Sequence, residues 1–170
     1  MTARFKRSGD GLRMTLSEPE RELLRNLPDE LRVLYEDDSG TDEARSRLFP
    51  SAYLDPTEEH AEEEWQELVH PELLRDRLDN LAKVIDALSG ATEGRRGAIV
   101  VELGPDDVPA LLGVLNDARL ALGTRLGVTD ETDVTDLDPS DPTAPVLAVY
   151  SWLTYLEGEL VETLLGDMPG

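Results

Sequence analysis

Glu67 and His70 stand three residues apart in Glu67-Leu68-Val69-His70. Di-iron helical bundles use that spacing to aim a carboxylate and an imidazole into one interior. Such a centre needs two copies, and His60, the second histidine of the chain, has Thr57 three residues before it. Pro71 also draws His70 away from helical geometry. The segment therefore reads as a solvated acidic helix face, which is how runs of one charge sign normally behave, and no metal is expected. Gly94-Arg95-Arg96-Gly97 has the Gly-x-x-Gly form of the loop by which KH domains clamp single-stranded RNA. That loop joins two helices, whereas this one leads into an apolar run, so a flexible basic loop is the preferred reading. Nucleophilic catalysis would have to use one of two histidines in an acid-rich stretch. No glycine-rich phosphate loop precedes a helix in the right context. We expect no catalytic residue, no cofactor and no enzyme.

The first thirteen residues hold Arg4, Lys6, Arg7 and Arg13 against Asp10, a local charge of +3. These four are the candidate contacts to a DNA phosphate backbone. They equally suit an edge strand that must discourage pairing with another chain, and that reading is favoured.

The surroundings are strongly acidic. The formal charge of −21 repels phosphate backbones and anionic lipid, and favours basic partners. Asp55 to Glu72 carries eight acids, and Gly127 to Pro145 six, each without a lysine or arginine. No cysteine is present, which excludes thiolate metal sites, thiol nucleophiles and disulfide switching. No long apolar run follows the basic N-terminus, and none approaches a membrane span, so a cytoplasmic protein is expected.

The elements that must position these groups are legible from periodicity. A hairpin is expected over 4–16, turning at Ser8-Gly9-Asp10-Gly11, with Leu12, Met14 and Leu16 on one face. Ser17 and Glu20 form a capping-box pattern, and Leu23, Leu24, Leu27, Leu31 and Leu34 carry a helix to about residue 35, kinked at Pro28. Residues 36–47 read as a mobile loop and 48–53 as an irregular aromatic segment. Further helices are expected over about 57–69, 71–88, 106–126 and 144–165, with a buried strand over 98–103. The fold class is mainly α (α+β): a single domain over 1–170, built as a helical bundle with a small three-stranded antiparallel sheet. The 98–103 strand is expected to pair with the hairpin, because an isolated strand would leave its backbone unsatisfied.

Two helices carry a charge inside an apolar stripe. At 100° per residue, Arg119 falls among Val108, Leu111, Leu112, Leu115, Ala118, Leu122 and Leu126. Glu157 falls among Val146, Val149, Tyr150, Leu153, Leu156, Leu160, Val161 and Leu164. The simplest reading pairs Arg119 with Glu157 as a bidentate structural ion pair that fixes helix register, worth about 3–5 kcal/mol if one partner is removed. Trp152 and Tyr155 lie off that stripe and are the candidate partner or homodimer surface.

Leu48-Phe49-Pro50-Ser51-Ala52-Tyr53, the block from Leu115 to Val128, and Val149 to Leu156 around Trp152 together give the chain a likeness. It resembles an actinobacterial family described as a domain of unknown function, which includes oxidative-stress transcriptional regulators of the AosR type. The resemblance spans nearly the whole chain. It implies a non-enzymatic regulator of transcription acting through a sigma factor or RNA polymerase, with weak DNA binding at most. The AosR branch is described as sensing oxidants through a Cys-x-x-x-Cys pair, so that switch does not carry over to a chain without cysteine. The alternative is an acidic cytosolic adaptor or scaffold with no role in nucleic-acid binding.

Overall fold

In the computed structural model, which describes residues 4–53, 55–129, 131–132 and 138–166, the chain enters as a β-hairpin. Strands β1 (Phe5–Ser8) and β2 (Gly11–Leu16) pair antiparallel with Ser8 opposite Gly11. Gly9 takes the left-handed φ of +60° that the two-residue turn requires. Strand β4 (Ile99–Leu103) pairs antiparallel on the other side of β2, with Met14 opposite Val101 and Leu16 opposite Ile99. A two-residue strand β3 (Thr92–Glu93) lies beyond β4, giving the order β1-β2-β4-β3. The sheet thus has four strands where three are expected from sequence. Thr92–Glu93 is too short for alternation to reveal it, and it pairs because the Gly94–Gly97 turn folds it back along β4.

Alternation makes one sheet face apolar. Leu12, Met14, Leu16, Ile99, Val101 and Leu103 are buried, while Arg13 and Glu102, cross-strand partners on the outer face, join at 2.6 Å. The helices cover the apolar face. They are α1 (Glu18–Glu36), α2 (Glu43–Leu48), α3 (Glu59–Leu68), α4 (His70–Ser89), α5 (Asp107–Leu126) and α6 (Ala144–Leu165). Leu24, Leu27 and Leu31 of α1, Leu81 and Val84 of α4, Leu111 and Leu115 of α5, and Leu153, Leu156 and Leu160 of α6 join the sheet residues in one buried cluster. Each such side chain contributes up to about 1.5–3 kcal/mol by leaving water.

Local chemistry sets most boundaries. The capping box of α1 is complete: Glu20 N–H donates to Ser17 Oγ, and Ser17 N–H to Glu20 Oε2 at 2.8 Å. The helix runs without interruption through Pro28, which is buried. Gly127, at φ +66°, closes α5 as Val128 N–H reaches back to Gly123 O. A short 3-10 turn, Pro56–Glu58, precedes α3, so the expected 57–69 helix starts later and ends one residue sooner. His70 lies inside the first turn of α4, with the break between helices at Val69.

Two expectations are corrected here. The expected loop over 36–47 contains α2, whose N-terminus Asp42 caps through Ala44 and Arg45 N–H. The buried face of α5 is also broader than the expected stripe. It includes Ala110, Val114, Asp117 and Ala121, because α1, α2, α4 and α6 all pack on this helix. Part of the acidic loop after α5, residues 130 and 133–137, lies outside the described residues.

Candidate functional site: a basic groove on an acidic protein

The capping residue Glu20 is also a hub. Its Oε2 accepts from Arg4 at 2.6 Å, and its Oε1 from the Trp152 indole N–H at 3.0 Å. One carboxylate so ties the hairpin to α1 and α6. Burial raises the pKa of this carboxyl, but the bonds from Arg4, Ser17 and Trp152 and the Arg4 charge outweigh burial and hold it below the usual value.

Beside this hub the surface opens into a groove of about 620 Å³. Its walls are Arg4 of the hairpin, the Arg95–Gly97 turn, and Tyr155 and Glu159 of α6. Tyr155 is 52% exposed, and its ring centroid lies 6.0 Å from the Arg4 guanidinium carbon. Arg95 and Arg96 are exposed. Their turn links β3 to β4, closed by Gly94 N–H to Ala98 O at 2.7 Å and Ala98 N–H to Arg95 O. A Cβ at Gly94 would sit 2.9 Å from Val100 Cγ2, so any larger residue there would have to displace that side chain. The turn is not the helix–helix clamp of a KH domain.

The structure divides the remaining sequence candidates. Arg4, only 20% exposed at its side chain, is held by Glu20, and Arg13 by Glu102. Lys6 shares the outer sheet face with Arg13, and Arg7 borders a separate hollow with Asp10 and Pro105. The four hairpin cations therefore form no continuous stripe. Trp152 is half-buried against the core, and Tyr155 is the more exposed of the two aromatics. Glu67 and His70 fall on different helices, and no group of three or more metal-ligating side chains occurs among the described residues. No helix among them is long and apolar enough to cross a membrane.

Arg119 Nε lies 3.1 Å from Glu157 Oε2, joining α5 to α6. The contact is a single unaligned approach rather than a bidentate fork, since neither atom makes a hydrogen bond, and Arg119 Nη2 leans to Asn116 Oδ1 at 3.4 Å. The side chains are 31% and 17% exposed, while the two facing atoms are themselves shielded from water, so the pair is partly buried. That placement lowers the expected cost of Arg119→Leu or Glu157→Leu to about 1–2 kcal/mol, between exposed and buried pairs. A double-mutant cycle by urea unfolding should show coupling of about 1 kcal/mol. Strictly additive single effects would remove the pair from the account.

Sequence reasoning missed the most constrained polar cluster. Asp117, 6% exposed, is the buried charged residue among those described. Its Oδ2 accepts from Tyr35 Oη at 2.5 Å and from Arg77 Nε at 3.0 Å. Phe49 is the cluster's aromatic centre, with Arg77 4.6 Å and Arg45 5.2 Å from its ring centroid, and the Tyr35 and His70 rings edge-on. Burial and the adjacent Asp117 charge push the Tyr35 phenol far above its usual range, so it stays a donor. Three helices, α1, α4 and α5, and the end of α2 are fastened at this point.

His70 supplies the cluster's pH response. Arg45 Nη2 lies 3.2 Å from His70 Nε2, an approach that requires an unprotonated, accepting nitrogen. Burial first, then the charges of Arg45 and Arg77, hold the imidazole below its ordinary 6.5. The unfolded chain therefore binds the proton more readily, and stability falls as pH drops from 7 through 6.5, levelling below the folded value. Urea midpoints should decline over that window, and His70→Gln should flatten the decline. An unchanged slope in that variant would remove His70 as its source.

The model of a family described as a domain of unknown function, DUF2017, matches residues 1–164. No curated protein and no solved structure matches the chain. With the family model covering the hairpin, the buried cluster and the groove alike, the chain belongs to the DUF2017 family.

Proposed function

We propose that this protein is a non-enzymatic transcriptional regulator that works by docking on the transcription machinery, a sigma factor or RNA polymerase. One observation carries the reading: the groove presents two exposed arginines and an exposed tyrosine on a protein of net charge −21. Exposed aromatic and arginine side chains are what protein interfaces concentrate at their centres. The likeness to AosR-type oxidative-stress regulators of actinobacteria supports the class of function. The absence of cysteine leaves no disulfide to carry a redox signal.

The hairpin plays a lesser part. With Arg4 and Arg13 held by carboxylates, any DNA contact made by the hairpin stays weak and salt-sensitive. The same ion pairs favour a second reading, an acidic adaptor with no nucleic-acid role. Affinity purification of the tagged protein from nuclease-treated lysate separates the two. Stoichiometric RNA polymerase or sigma subunit, lost in Tyr155→Ala, is expected. Recovery of neither, or a nuclease-sensitive association, would overturn the regulator reading, and enrichment of other proteins alone would favour the adaptor.

A further inference from the structure

We infer that the groove between the Gly94–Gly97 turn and α6 takes a short acidic segment of a partner protein. Carboxylates would sit on Arg95 and Arg96, and a neighbouring apolar side chain on the Tyr155 ring. This rests on the groove being a docking surface, as proposed above, and names the chemistry of its occupant.

The first support is charge left unanswered. The chain has 37 acidic and 16 basic side chains, so cations are in demand. Arg4, Arg13, Arg21, Arg25, Arg77, Arg119 and Arg125 all lie within 4 Å of a carboxylate. Arg95 and Arg96 are among the several cations with no such partner among the described residues, and they stand side by side and exposed. The second support is backbone geometry. Arg96 has φ +58° and ψ 35°, the one left-handed non-glycine conformation among the described residues. A side chain there costs on the order of 1 kcal/mol, a cost that asparagine or glycine would lessen. At that position the chain carries an exposed arginine, next to Arg95. The third is the mixed lining, where the Tyr155 ring offers apolar area between the basic turn and Arg4, whose own charge Glu20 balances.

The same lining argues for a peptide over a nucleic acid. Glu159 closes the α6 side of the groove, and Glu93 precedes the turn. A nucleic-acid strand carries its charges at every nucleotide and would be driven onto these carboxylates and the acidic surface beyond. A peptide can confine its acids to two or three positions and stay neutral opposite Glu159. At physiological salt the Debye length is about 8 Å, so the local arginines outweigh the distant net charge.

Fluorescence anisotropy tests this on the intact protein at physiological salt. The probes are a fluorescein-labelled Gly-Asp-Glu-Leu-Phe-Asp-Glu-Gly peptide, its Asn/Gln counterpart, and labelled oligothymidine. The acidic peptide should bind, with the amide version and the oligonucleotide each at least about tenfold weaker. Arg95→Ala with Arg96→Ala should weaken the peptide at least about tenfold, as should Tyr155→Ala. Arg32→Ala with Lys83→Ala, exposed cations elsewhere, should leave it unchanged. Peptide binding indifferent to Arg95 and Arg96 would overturn the inference. So would tighter binding of oligothymidine, or self-association in sedimentation that those two arginines control. If the peptide binds as stated but RNA polymerase does not co-purify, the regulator reading fails while this inference stands.

Discussion

Arg77→Met is expected to lower the free energy of unfolding by about 3–5 kcal/mol, the cost of leaving a buried charge without its partner. Asp117 has no second cation within reach among the described residues, since Arg77 Nε at 3.0 Å is its ion-pair contact and Tyr35 supplies a neutral hydrogen bond. Methionine keeps much of the side-chain packing near Phe49, so the loss reports the charge more than a cavity. Against a total stability of roughly 5–15 kcal/mol for a domain, the variant should be marginal. Arg77→Met with Asp117→Leu should recover much of the loss, because removing both charges also removes the desolvation they suffer. Tyr35→Phe, which deletes one hydrogen bond to a charged group, should cost a smaller 1.5–3 kcal/mol, roughly. Urea unfolding at pH 7 measures all three. A change under about 1 kcal/mol in Arg77→Met would mean that Asp117 is better solvated than its burial indicates.

Gly11→Ala should cost about 3 kcal/mol or more. A Cβ at Gly11 would stand 1.9 Å from the Leu103 carbonyl oxygen and 3.1 Å from Gly104 Cα, both backbone atoms. Overpacking against side chains typically costs about 1–3 kcal/mol because they can shift. Here relief requires moving β2 from β4 at the point where Leu12 pairs with Leu103. Gly90→Ala is the control, since its nearest contact is an ordinary 3.5 Å and its φ is −85°. That substitution should be neutral or slightly stabilising through the unfolded chain. Equal stability of the two variants, by urea midpoint, would contradict the close β2–β4 approach.

What the sequence reveals and hides in this fold follows from range. The Gly9 turn, the Ser17–Glu20 cap and the Leu12/Met14/Leu16 alternation are local and readable, and the structure places each where expected. Arg119 and Glu157 could be matched because each interrupts an apolar stripe. Helix α2 escapes because six residues cannot show a helical period, and Asp42 is its main signal. Asp117 escapes for a different reason. In Asn116-Asp117-Ala118-Arg119 nothing local marks it as buried, and only the enclosure of α5 on several sides buries it beside Arg77, forty residues earlier in the chain. The groove is intermediate: the Gly94–Gly97 turn and Tyr155 each stand out, but their adjacency depends on α6 packing beside β1.

Hydrogen–deuterium exchange of the protein, alone and with purified RNA polymerase holoenzyme, tests the docking claim most directly. Protection is expected over the Gly94–Ala98 turn and the α6 turn around Tyr155, and should vanish when Arg95 and Arg96 are both alanine. Protection confined to the acidic helix α3, or none anywhere in the chain, would contradict it.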